Sequence, residues 1–154
     1  MMRGIGRLET PRDLLAKLTH DFARLTSDPS DTYAAFDFFV TAEHMVDWVL
    51  PGYVNRQAQA ELRSGSAVLQ AISHIASGSK HFVAEARHHQ HVQHVDAPHG
   101  AFDSKAFNSH AFQTDALFVT LDGTATAALG KHILVVDLAE KALRFWKEYV
   151  EQNC

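Results

Sequence analysis

Leu14, Leu15, Leu18, Phe22 and Leu25 recur at three- and four-residue spacing, the period of an amphipathic helix. Thr10-Pro11 opens that helix, with threonine as N-cap and proline at the first helical position, where its missing N–H costs nothing. Ser27-Asp28-Pro29-Ser30 ends it. Over 31–50 the apolar residues occupy most sides, as in a helix at the centre of a bundle, and Pro51-Gly52 stops it. A short third helix is predicted over 54–63. A fourth follows over 66–88, with Val68, Ile72, Ile75, Phe82, Val83 and Ala86 on its apolar side. Gly78 lies inside this last helix; it either permits a close helix approach or bends the helix.

After His88 the helical period fails. The stretch 89–110 is rich in His, Gly, Pro, Ser and Asn, with one short strand expected around 92–95. The run ALFVTL (116–121) reads as a strand, Asp122-Gly123 as a turn, and KHILVV (131–136) as the partner strand. Asp137 is expected to cap a final helix, with Glu140 completing a capping box. Leu138, Ala142, Trp146 and Tyr149 line one side of it, and Lys141, Arg144 and Lys147 face solvent. These elements predict a single-domain α+β fold over 1–154, mainly a bundle of four to five helices with a small β-hairpin before the C-terminal helix. Its parts are a helical region 10–88, an irregular histidine-rich segment 89–115, a hairpin 116–136 and a helix 137–151.

Composition narrows the classes. A chain of 154 residues fits one domain, and 46% hydrophobic against 21% charged residues excludes a disordered chain. No apolar run reaches the roughly 20 residues of a membrane span, so no membrane partner is expected. The first residues hold no apolar stretch of the kind a secretory signal needs. Cys154 is the only cysteine, which rules out an intramolecular disulfide and suits a reducing cytoplasm. With a net charge of −4 there is no bulk attraction to nucleic acid. The 11 histidines are the anomaly.

Six polar residues of the fourth helix, Gln70, His74, Ser77, His81, Glu85 and His88, follow alternating steps of four and three and so form one stripe. On the second helix Tyr33, Asp37, Val40, His44, Asp47 and Trp48 share a sector. If the two stripes face each other, Asp37, His44, Asp47 and Trp48 line a groove with His74, Lys80 and His81. Imidazole and carboxylate groups gathered there suit a divalent transition metal such as Zn, Ni, Mn or Fe, with His44, Asp47, His74, His81 and Glu85 as ligands. The alternative is a wet helix face, leaving a non-catalytic module whose partner is another protein. The histidine run from His88 to His99 has a metal-binding composition without the ordered spacing of a zinc finger.

The segments Phe38-Phe39-Val40-Thr41-Ala42-Glu43-His44-Met45-Val46-Asp47-Trp48 and Ile72-Ser73-His74-Ile75-Ala76-Ser77-Gly78-Ser79-Lys80-His81-Phe82 resemble small bacterial proteins with a helical region of the HEPN type. In those proteins a helix ending in Lys-His packs beside one carrying His-x-x-Asp-Trp. The similarity covers about a third of the chain, from the second to the fourth helix. Many HEPN proteins are metal-independent ribonucleases with an arginine, a polar residue and, four to six residues on, a histidine. Arg87-His88 followed by His94 is similar to that motif. The resemblance implies a protein acting on RNA in a toxin or phage-defence setting, and a homodimer as its assembly. Arg87, His88 and His94 would then be catalytic, the histidines as acid and base and the arginine as a clamp on phosphate charge.

Overall fold

A computed structural model describes residues 5–81, 91–97 and 116–154. In chain order it contains α1 (Pro11–Ser27), α2 (Thr32–Val49), a 3-10 turn (Tyr53–Asn55), α3 (Arg56–Ser64), α4 (Ala67–His81), β1 (Val92–Asp96), β2 (Phe118–Leu121), α5 (Gly123–Leu129), β3 (His132–Leu134) and α6 (Val135–Asn153). The architecture is α+β as predicted, helices with a small antiparallel sheet placed before the last helix.

The first two helices begin where their capping residues stand. Thr10 Oγ1 accepts from the Asp13 amide, and the Asp13 carboxylate accepts from the Thr10 amide at 2.9 Å. Bonds from the Thr10 hydroxyl, and then from the Glu9 and Thr10 amides, hold the Asp13 carboxyl below its ordinary range. Asp31 accepts from the amides of Tyr33 and Ala34 at 2.8 and 3.1 Å, which satisfies two donors that a bare helix end leaves open.

Helix α2 is central and packs against α1, α3, α4 and α6. Phe38 and Phe39 are buried on it in an edge-to-face pair 5.6 Å apart, and each buried phenyl contributes about 1.5–3 kcal/mol. One cluster of buried side chains runs from Leu14 on α1 to Val150 on α6, taking in Val119, Leu121 and Ile133 of the sheet. The buried carboxylate of Asp21 accepts from Lys17 Nζ and from Thr41 Oγ1, the latter at 2.8 Å. That pairing removes the penalty of burying a lone charge between α1 and α2.

The sheet order is β1-β2-β3, antiparallel throughout, with β2 between its neighbours. Three expectations need correction. Asp122-Gly123 is not a hairpin turn: Asp122 accepts from the Gly123 amide and caps α5, because the Ala-rich link Gly123–Leu129 favours helix. Gly130, at φ +85°, then turns the chain into β3. The last helix begins at Val135, not after Asp137, and its N-cap Leu134 makes no side-chain bond. Val135 is fully buried and its amide donates to Leu117 O at 2.9 Å. Tertiary contact, not a capping box, therefore sets this boundary, and Asp137 sits in the first turn, where a negative charge is favourable. Gly78 also differs from one expectation: a Cβ there meets nothing within 4 Å, so no close helix approach requires the glycine.

Candidate functional site

Helices α2 and α4 pack side by side and leave a groove of about 420 Å³. Phe36, Val40, Glu43, His44 and Asp47 of α2 form one wall; Ala76, Ser77 and Lys80 of α4 form the other. Helical geometry accounts for the first wall. At about 100° per residue, these five positions fall within a sector of roughly 100°, and Tyr33 falls inside the same sector. Tyr33 is 82% and Phe36 47% exposed. The stripe therefore starts as an aromatic ridge and becomes polar toward the C-terminus of α2.

Glu43 is the anchored member of the wall. Arg63 Nε of α3 donates to Glu43 Oε1 at 2.7 Å, and Ser73 Oγ of α4 approaches the same oxygen at 3.5 Å. Both side chains of the ion pair are largely covered, 25% and 18% exposed for Arg63 and Glu43. Burial pushes the Glu43 carboxyl above its ordinary pKa, opposed by the charge and hydrogen bond of Arg63, and the like charge of Asp47 pushes it further up. His44, Asp47 and Lys80 are exposed within the groove.

The two polar stripes thus meet, though not through all the residues expected. His44, Asp47 and Lys80 line the groove together. Asp37 does not line it: its carboxylate accepts from Arg24 Nη1 of α1 at 2.7 Å. Trp48 is half-buried against the core instead. His74 turns toward the sheet, where its Nδ1 accepts from the amides of His91 and Val92. Arg87, His88 and Glu85 lie outside the described residues, as does the side chain of His81. Of the expected metal ligands, the groove gathers His44 and Asp47. Among the described residues no group of three or more His, Cys, Asp or Glu side chains is placed to hold a metal ion. No helix among them is long and apolar enough to cross a membrane.

His94 stands on β1 opposite Thr120, which in turn stands opposite His132 on β3. The three occupy one row on the outer face of the sheet, whose inner face buries Val119 and Ile133. Thr120 Oγ1 lies 3.3 Å from His132 Nδ1, and Phe118 meets the His132 ring edge-on, with centroids 6.1 Å apart.

Sequence reasoning missed Phe36, Glu43, Arg63 and Ser73. The predicted sector, running from Asp47 round to Trp48, is turned by about 40° from the true wall, so it takes in Asp37 and Trp48 and leaves out Phe36 and Glu43. One signal for Glu43 was available: a carboxylate on an otherwise packed helix needs a partner. Its partner is twenty residues away in the chain, where no local pattern points to it. No family model matches the chain, and neither a curated protein nor a solved structure was found to match it.

Proposed function

We propose that the protein is a non-catalytic interaction module that docks a segment of a partner protein along the α2–α4 groove. The observation that supports this most is the exposure of Tyr33 and Phe36 in line with the groove. Large aromatic side chains supply much of the binding energy at protein interfaces, because they bury wide area with few rotatable bonds. Val40 and Ala76 offer apolar surface for a partner side chain. His44, Asp47, Ser77 and Lys80 supply donors and acceptors for the rim, where polar contacts set register more than affinity. A volume of about 420 Å³ lies within the span of side-chain and small-ligand sites.

The test is a photo-reactive residue placed at position 36 in the full chain, with a second version carrying it at Glu148, an exposed position on α6. After irradiation in the producing cells, a discrete protein adduct should form at position 36 and not at 148. Adducts of the same pattern from both positions would refute the reading.

A second reading has one observation in its favour. The row His94–Thr120–His132 beside Phe118 presents two imidazoles and an aromatic ring on an open sheet face. Such groups suit stacking on RNA bases and acid–base work on its phosphodiesters. It keeps His94, with Arg87 and His88, in the roles that the HEPN resemblance implies. If it holds, purified protein cleaves single-stranded RNA, and the Arg87→Ala and His94→Ala variants each lose that activity at least about 100-fold. Cleavage that survives both substitutions argues against it.

A further inference from the structure

At the start of β1 two backbone amides share one acceptor on α4, an imidazole nitrogen. The amides of His91 and Val92 both donate to Nδ1 of His74, at 3.1 and 2.9 Å. A ring nitrogen accepts hydrogen bonds only through its lone pair. Two converging donors therefore require Nδ1 to be unprotonated. The strand ladder is irregular at the same place: Val92 pairs with Leu121 and His94 with Thr120, so the register shifts at Gln93.

We propose that His74 is a protonation-gated clasp between α4 and β1. With Nδ1 free of a proton, the ring holds the first two amides of the strand. A proton added at Nδ1 turns the acceptor into a donor aimed at two other donors. Both bonds are then lost in one event, and two amides must find water or another acceptor. Histidine is the side chain suited to such a switch, and the clasp opens as the His74 ring takes up its proton.

The groups around the clasp are specific. From β1 comes the His91 ring, whose Nδ1 lies 3.4 Å from Thr124 Oγ1 at the head of α5. Ahead of α5 stands Asp122, whose carboxylate accepts from Gln93 Nε2 at 3.0 Å and from the Gly123 amide, bonds that hold it below its ordinary range. The Asp122 amide donates to His91 O at 2.9 Å. Helix α5 carries no titratable side chain, and α6 buries only apolar residues. Glu43, His44 and Asp47 of α2, Arg63 of α3 and Lys80 of α4 are the charged or titratable groups placed at the Glu43 ion pair and the α2–α4 groove. The Asp122 contacts persist when His74 is protonated, so the clasp opens at the first two amides while β2 and β3 stay paired.

Amide hydrogen exchange on the full chain tests this, read at His91 and Val92 with Val119 and Ile133 as internal references. Protection at His91 and Val92, corrected for the intrinsic pH dependence of exchange, should fall at least about tenfold across the His74 titration followed by imidazole NMR. Val119 and Ile133 should keep theirs. His74→Asn places a non-titrating oxygen near the position of Nδ1 and should make protection at His91 and Val92 independent of pH. His74→Ala should leave both amides weakly protected at every pH. Should either variant fail to fold, the wild-type ring decides alone. A proton found on Nδ1 at neutral pH overturns the proposal. So does unchanged protection through the His74 titration, or a loss shared equally by all four amides.

Discussion

Glu43 carries a carboxyl group on a helix packed on most sides, and its hydrogen bonds fall on one oxygen. Oε1 faces Arg63 and Ser73, which ties α2 to α3 and α4, while the side chain also contributes to the groove wall. Its carboxyl is raised above the ordinary value chiefly by burial. A raised acid favours the folded state in its neutral form. Its contribution is therefore complete below the unfolded carboxyl pKa and is lost as pH rises through the folded value. Glu43→Gln cannot titrate, so its stability relative to the parent should improve between pH 4 and pH 7 in urea denaturation. A difference that stays flat, or moves against the variant, would mean that the Arg63 pair outweighs the cost of burial. At this scale the sequence was readable where chemistry is local. Thr10 caps α1 with Pro11 at its first position as their residue types predict, and Lys141, Arg144 and Lys147 face solvent. Asp37 was misplaced because its partner Arg24 sits on another helix. His74 was misplaced because a strand supplies its donors.

At the scale of elements, helices with an uninterrupted apolar period were legible almost to their ends. Helix α1 closes at Asp28 and α2 at Leu50, next to the Pro and Gly that stop them. Boundaries decided by tertiary contact were not legible. The β2–β3 connection folds into α5, and α6 starts two residues before Asp137 because Val135 enters the core. Gly78 offers a direct check on α4. It lies mid-helix with open space where a Cβ would be, so Gly78→Ala should raise stability by about 0.5–1 kcal/mol through the lower entropy of the unfolded chain. A thermal or urea midpoint that falls would mean the glycine serves a contact after all. The same substitution should leave the groove intact, since Ala76, Ser77 and Lys80 reach it from other positions on the helix.

For the whole molecule, the decisive arrangement is the seam between α2 and α4. Spacing placed a polar stripe on each helix but left open whether the two face each other, and it placed Tyr33 in the polar sector without Phe36 beside it. Both stay exposed although Phe38 and Phe39, on the same helix, are buried in the core, and the proposed docking rests on that exposure. The sheet on the far end of the chain order adds a second face, with His94 and His132 flanking Thr120, and His74 joins that sheet to the helix that forms the groove. The acidic net charge of −4 opposes non-specific phosphate binding.

The docking claim is tested most directly by titrating the protein captured at position 36, once purified, against Phe36→Asp and against Glu148→Lys as a remote control. Loss of affinity by at least about tenfold for Phe36→Asp, a cost of about 1.4 kcal/mol, with Glu148→Lys unchanged, is the predicted result. Equal affinity for the parent and Phe36→Asp contradicts the account.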